Sequence, residues 1–167
     1  MVRSITPSPT TPGPGNQSAA GLVGVALLVE DDDAVRKVAR RMLESHGLTV
    51  LATSGPVEAL RRLEQHAGRV DVLVTDVLLP GMNGPELATR VRARRPEVRV
   101  IYISGYSIEE AFPHGECEEG AEFLQKPFTP RQLAEVLTRV LAKNPSQRMD
   151  TPLPQDTDRV NRDRPKH

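Results

Sequence analysis

The sequence predicts an α/β fold: a doubly wound, five-stranded parallel sheet covered by helices on both faces. Three observations carry that expectation. Five short apolar runs alternate with amphipathic segments between residues 23 and 143, the pattern of strand, crossover helix and parallel strand. Each run is mostly β-branched or Leu and too short for a helix of ordinary length. Outside that section the texture changes: residues 1–22 and 144–167 are rich in Pro and small polar or charged residues and have little apolar surface to bury, so both are expected to be disordered.

The strands in order are "VALLV" (25–29), "LTVLA" (48–52), "VDVLVT" (70–75), "VRVIYI" (98–103) and "EFLQ" (122–125). The first belongs to an apolar stretch from Ala19 to Val29, which has the look of a signal-peptide core. A Pro/Ser/Thr-rich leader precedes it and Glu30 follows directly, and it falls short of the ~20 residues of a membrane span. Its second half therefore reads as a buried strand.

After it, Val35, Val38, Ala39, Met42 and Leu43 form one helical stripe that Gly47 terminates. Asp33 is expected to cap this helix ahead of Ala34, with Asp32 beside it in solvent. "PVEALRRLEQHAG" (56–68) and "GPELATRVRARR" (84–95) fit two further helices with Pro in the first turn. Residues 107–120 make a poor helix, because Pro113 and Gly115 interrupt it. Leu133, Val136, Leu137, Val140 and Leu141 recur at i, i+3, i+4, i+7 and i+8 on the last helix.

In an open parallel sheet the ligand site lies beyond the carboxyl ends of the strands, where strand order reverses. The residues at those ends are Glu30 and Asp31, then Ser54 near the second strand, Asp76, Ser104 and Lys126. Taken singly, each has an ordinary explanation: acids before a helix serve its dipole, Asp and Ser start turns, and a lysine is usually solvated. Taken together, they place a hydroxyl and an ammonium around converging carboxylates. Hard oxygen ligands of this kind suit Mg²⁺. Phosphoryl transfer to a carboxylate needs such a set, because an anion must attack an anion.

With "LLVEDD", "VTDVLLPGMNG", "IYISGY" and "FLQKPF" in this order, the segment from about 24 to 143 resembles a response-regulator receiver domain. Its wording is most similar to receivers of hybrid sensor histidine kinases. The resemblance implies a flavodoxin-like sheet of order 2-1-3-4-5. It implies that Asp76 accepts a phosphoryl group from a partner phosphohistidine, on a sensor histidine kinase or a histidine phosphotransfer protein. Asp31 would bind Mg²⁺ directly and Glu30 through water, with Asp76 and the Leu78 backbone carbonyl completing the protein ligands. Ser104 and Lys126 would hold the phosphate, Phe123 would be a switch aromatic as well as a core ring, and the Lys126-Pro127 bond would be cis.

There are departures: Glu30 replaces the commoner Asp, Ser104 the commoner Thr, and "FPHG" breaks the fourth helix. The break argues against dimerisation through the surface of that helix, the fifth strand and the fifth helix; a monomer or weak dimer is expected.

Composition limits the alternatives. Lys and Arg number 22, as do Asp and Glu, there is no Trp, and Tyr and Phe number two and three. Such a chain has neither the field nor the stacking rings of a nucleic-acid binder. The single Cys117 fits a reducing cytoplasm. None of the four histidines sits in a phosphodonor context, and all are expected at the surface. "DDDAV" also fits the opening of a haloacid-dehalogenase-like Mg²⁺ phosphatase, with Asp31 as nucleophile and Asp33 as acid. That reading lacks an acidic motif after Lys126 and leaves Asp76 unexplained. A non-phosphorylated interaction module of the same fold would have no need of all four site residues. The downstream protein target is not identified by the sequence.

Overall fold

The computed structural model describes residues 22–114 and 117–142; the expectations for the leader before Leu22 and for the tail lie outside them. In chain order the elements are β1 (Gly24–Val29), α1 (Asp33–Ser45), β2 (Leu48–Thr53), α2 (Pro56–Gln65), β3 (Val72–Asp76), α3 (Gly84–Arg94), β4 (Arg99–Ser104), α4 (Ile108–Ala111), β5 (Glu122–Gln125) and α5 (Pro130–Ala142). All strand pairs are parallel, in the order β2-β1-β3-β4-β5.

Side-chain alternation along the strands divides the interior into two cores. Ala26 and Leu28 of β1, Val72 and Val74 of β3, and Ile101 and Ile103 of β4 face α1 and α5, meeting Ala39, Leu43, Leu133, Val136, Leu137 and Val140. Leu27, Val29, Leu73, Val100 and Tyr102 point the other way, onto Ala59 and Leu63 of α2 and Leu87, Ala88 and Val91 of α3. Each fully buried Leu or Ile contributes about 1.5 to 3 kcal/mol. Strands buried on both faces explain the continuous apolar runs.

Local chemistry sets the helix ends, and here the structure corrects two details. Asp32, not Asp33, caps α1: its carboxylate accepts from the backbone N–H of Ala34 and Val35 at 2.8 and 3.0 Å. Asp33 is the first helical residue and pairs with Arg36. The cause is geometric, since a cap side chain must reach amides two and three residues ahead, which Asp32 does from an extended backbone at φ −74°, ψ 117°. Val38, assigned to the apolar stripe of α1, is 50% exposed; Ala39 and Leu43 supply the buried face.

Gly47, at φ 94°, takes the left-handed conformation that ends α1, its N–H donating to the Glu44 carbonyl at 3.0 Å. Leu22, counted with the leader in the sequence, is tied to the domain by its N–H on the His46 carbonyl at 2.8 Å. His46 and His66 are half-buried rather than at the surface. α4 has only four residues, closed at its start by a reciprocal capping box between Ser107 and Glu110, and stops before Pro113.

Candidate functional site

Strand order reverses between β1 and β3, and the carboxyl ends of these strands deliver the acids. Glu30 follows β1 and is fully buried, Asp76 closes β3 and is 7% exposed, and Asp31 faces solvent. One carboxylate oxygen from each lies within 4.8 Å of the others. β5 brings Lys126 against them: its Nζ donates to Asp76 Oδ2 at 2.6 Å and to Glu30 Oε2 at 3.0 Å.

The remaining lone pairs are served by backbone. Asp76 Oδ1 accepts from Leu78 N–H at 2.9 Å, and Glu30 Oε1 accepts from Asp32 N–H at 3.1 Å. The first bond holds the Leu78 peptide against Asp76, while the Leu78 side chain is 56% exposed. Burial raises the Glu30 pKa above the usual carboxylate range, against the opposing pull of Lys126. Burial of Lys126 acts to lower its own pKa. Hydrogen bonds and charge from Asp76 and Glu30 outweigh that, so the net direction is up and the ammonium stays charged.

Ser104 ends β4, 1% exposed, and its Oγ accepts from Tyr106 N–H at 3.1 Å. The Lys126 N–H donates to the Ser104 carbonyl at 2.7 Å, which binds the ends of β4 and β5 together. The Lys126–Pro127 peptide is cis. Phe123 lies on β5 opposite Tyr102 in the register, half-buried, with its ring edge-on to Phe112 at a centroid distance of 6.2 Å. Asp33 is not part of this gathering: its side chain is 72% exposed and engaged by Arg36. Ser54 is likewise exposed and bonds to Glu58.

Two contributors escaped the sequence. Arg36 Nη1 donates to the Glu30 carbonyl at 2.8 Å and to that of Asp31 at 3.4 Å, pinning the turn that carries both acids. Gly84 begins α3 so close to the chain leaving β3 that any Cβ would overlap the Asp76 carbonyl oxygen; its N–H donates to the Val77 carbonyl at 2.8 Å. A Gly between a capping Asn and a helical Pro was the one available signal for it.

Three converging carboxylates beside one ammonium leave an excess of negative charge, and one of the acids is open to solvent. Hard oxygen donors in this number, with room for water, fit Mg²⁺. The response regulator receiver domain model matches residues 26–138. The chain belongs to the response-regulator receiver family. It is a receiver domain of two-component signalling, a family whose members are phosphoacceptors that bind Mg²⁺ in their acidic pocket and interact with histidine kinases or phosphotransfer proteins.

The receiver is 42% identical over 130 residues to the sensor kinase CckA of Brucella abortus, covering 76% of this chain and 14% of that protein. It is 30% identical over 115 residues to the response regulator receiver protein CpdR of the same organism, covering 69% and 94%. The crystal structure of the receiver domain of the hybrid histidine kinase CckA matches with a TM-score of 0.60 at 40% identity, over 71% of this chain and 99% of that one. The chain thus spans only a small part of the kinase it resembles and nearly all of the stand-alone receiver. The phosphatase reading is not favoured, since Asp33 lies outside the pocket that Asp76 occupies. Among the described residues no helix is long and apolar enough to cross a membrane.

Proposed function

We propose that this receiver takes a phosphoryl group from a phosphohistidine of a sensor histidine kinase or a histidine phosphotransfer protein onto Asp76. The observation that carries the reading is the Asp76 carboxylate at the end of β3, buried and held at 2.6 Å by Lys126 among the oxygens of Glu30 and Asp31.

An Asp76 oxygen attacks phosphorus, the P–O bond forms as the P–N bond breaks, and the electron pair leaves with the imidazole nitrogen. Lys126, already on Asp76 Oδ2, balances charge on the phosphoryl oxygens. Ser104 Oγ accepts from Tyr106 N–H and has its own hydrogen to donate to the phosphoryl group. Glu30, Asp31, Asp76 and the Leu78 carbonyl would hold Mg²⁺, which supplies positive charge to the transferring oxygens. Later attack of water on phosphorus returns Asp76 to the free carboxylate, so the only chemistry is the receiver's own phosphorylation and dephosphorylation.

The output is a change of surface at Ser104 and Phe123, read by a protein target. The unit runs over residues 23–143 with Leu22, acts in the cytoplasm as a monomer or weak dimer, and its single Cys117 suits that compartment. Incubation with acetyl phosphate and Mg²⁺, followed by intact mass, should add one phosphoryl group to the wild type and none to Asp76→Ala. Equal labelling of the two proteins would overturn the assignment.

A further inference from the structure

The α4 flank holds an ionic cluster that the phosphoryl chemistry does not use. Tyr102 lies two residues before Ser104 on β4, on the same face of the strand, and is fully buried. Its hydroxyl donates to Glu118 Oε1 at 2.5 Å. The other carboxylate oxygen of Glu118 pairs with Arg92 Nη1 of α3, and Arg92 Nε donates to the Val98 carbonyl at 3.4 Å. Phe112, which ends α4, stands edge-on to Tyr102 at 5.3 Å and to Phe123 at 6.2 Å.

Phe112 therefore covers the Phe123 ring, and Glu118 fastens the chain entering β5 to β4 and α3. The packing beside it is partial: Ala111, Phe112, Cys117 and Ala121 are only partly buried against the core, α4 is a single turn with no buried residue, and Phe112 and Cys117 line an open cavity of about 300 Å³ with Ile108, Glu109 and Pro113. Burial first, and the facing Glu118 carboxylate second, push the Tyr102 phenol well above its ordinary pKa, so it remains the donor. A buried phenol whose acceptor swings away is left without a hydrogen-bond partner, a penalty that resists opening.

We propose that Arg92, Tyr102 and Glu118 form a clasp that holds the chain entering β5 against β4 and α3 beside Phe123, and that its release contributes to the surface change that follows phosphorylation. Tyr102 and Glu118 are positioning residues: neither touches the acids of the pocket. The coupling rests on the phosphoacceptor reading above; the restraint does not. Ser104 and Tyr102 share one face of one short strand, so a shift of β4 toward a phosphorylated Asp76 moves the phenol relative to the Glu118 carboxylate.

Hydrogen exchange read by mass spectrometry on the whole chain tests both parts. Without phosphate donor, Tyr102→Phe and Glu118→Gln should each speed exchange across residues 107–121 by about tenfold or more while leaving 72–77 unchanged. Wild type labelled with acetyl phosphate and Mg²⁺ should show the same local rise, and labelled Tyr102→Phe no further one. Exchange in both variants equal to wild type, or raised uniformly over the sheet, overturns the clasp. Labelled wild type whose exchange rises only outside 107–121 overturns the coupling. Failure of wild type to label at all overturns the Asp76 assignment and the coupling with it, while the unphosphorylated variants still decide the restraint.

Discussion

The acidic pocket and the α4 flank sit at the same edge of one sheet and are built on opposite terms. In the pocket Asp76 is itself a strand residue, Glu30 and Lys126 each follow a strand directly, and their carboxylate oxygens have backbone or ammonium partners. In the flank, among the described residues, a four-residue helix packs through the Phe112 ring and other partly buried side chains, and one carboxylate, Glu118, adds the ionic tie to α3 and β4. The difference separates two requirements. Transfer chemistry needs atoms that do not move, which neighbouring parallel strands provide; a signal needs a part that can move at small cost, and low local packing provides that. A lesion in the pocket is therefore expected to act on the whole molecule, and a lesion in the flank to act locally.

Lys126→Ala should give the largest effect and tests that division most directly. It leaves Glu30 and Asp76 buried side by side without their shared cation, at a cost of about 3 kcal/mol in unfolding free energy, measured by urea titration. Labelling by acetyl phosphate should fall at least about a hundredfold, as expected for loss of a charged group aimed at the transferring oxygens. Millimolar Mg²⁺ should restore part of the stability but not the labelling. A variant as stable as wild type without Mg²⁺ would show that the lysine is not the pocket's structural counter-charge.

Gly84→Ala should follow, because the added methyl must displace the backbone leaving Asp76. A destabilisation of about 1 to 3 kcal/mol is expected, with slower labelling although no charged group has changed. An unaltered labelling rate would separate the α3 start from the geometry of the acceptor.

Tyr102→Phe removes one hydroxyl from the flank and should lower the melting temperature by less than either pocket lesion. The rate of labelling should stay within a few-fold of wild type while hydrogen exchange rises only near α4. If labelling fell as far as in Lys126→Ala, the flank and the pocket would be one rigid unit and the contrast would fail.

How much of this was legible in advance depends on the sequence distance over which each feature is encoded. The five strands and the α5 stripe follow from periodicity, and the short α4 from Pro113, all of which are local signals. The gathering of Glu30, Asp31, Asp76 and Lys126 was legible as well, because strand ends bring them together whatever the details of packing. The clasp was not: Glu118 lies 16 residues from Tyr102 and 26 from Arg92, and no pattern distinguishes it from any other loop glutamate. Gly84 left only the local Asn-Gly-Pro signal for a related reason, since its close approach to Asp76 is made by the returning chain. The α1 cap was misplaced by one residue because Asp32 and Asp33 are the same residue type, and only the backbone angle at Asp32 decides between them.

That one-residue correction yields the smallest and most specific prediction. The run Glu30 to Asp33 divides into two acids of the pocket and two of α1, with Arg36 touching both groups through the Glu30 carbonyl and the Asp33 carboxylate. Asp32 bonds two amides that have no partner inside the helix, whereas Asp33 makes a solvent-exposed ion pair, a kind that contributes little. Asp32→Ala should thus lower the thermal midpoint by a few degrees and Asp33→Ala should leave it nearly unchanged, the reverse of what a cap at Asp33 requires. Because Asp32 also donates its N–H to Glu30, substituting its side chain leaves that bond in place, and labelling of Asp76 should proceed at close to the wild-type rate in both variants. Slowed labelling in Asp32→Ala alone would mean that the cap holds the acidic turn in register, and the boundary between folding and chemistry in this run would move from after Asp31 to after Asp32.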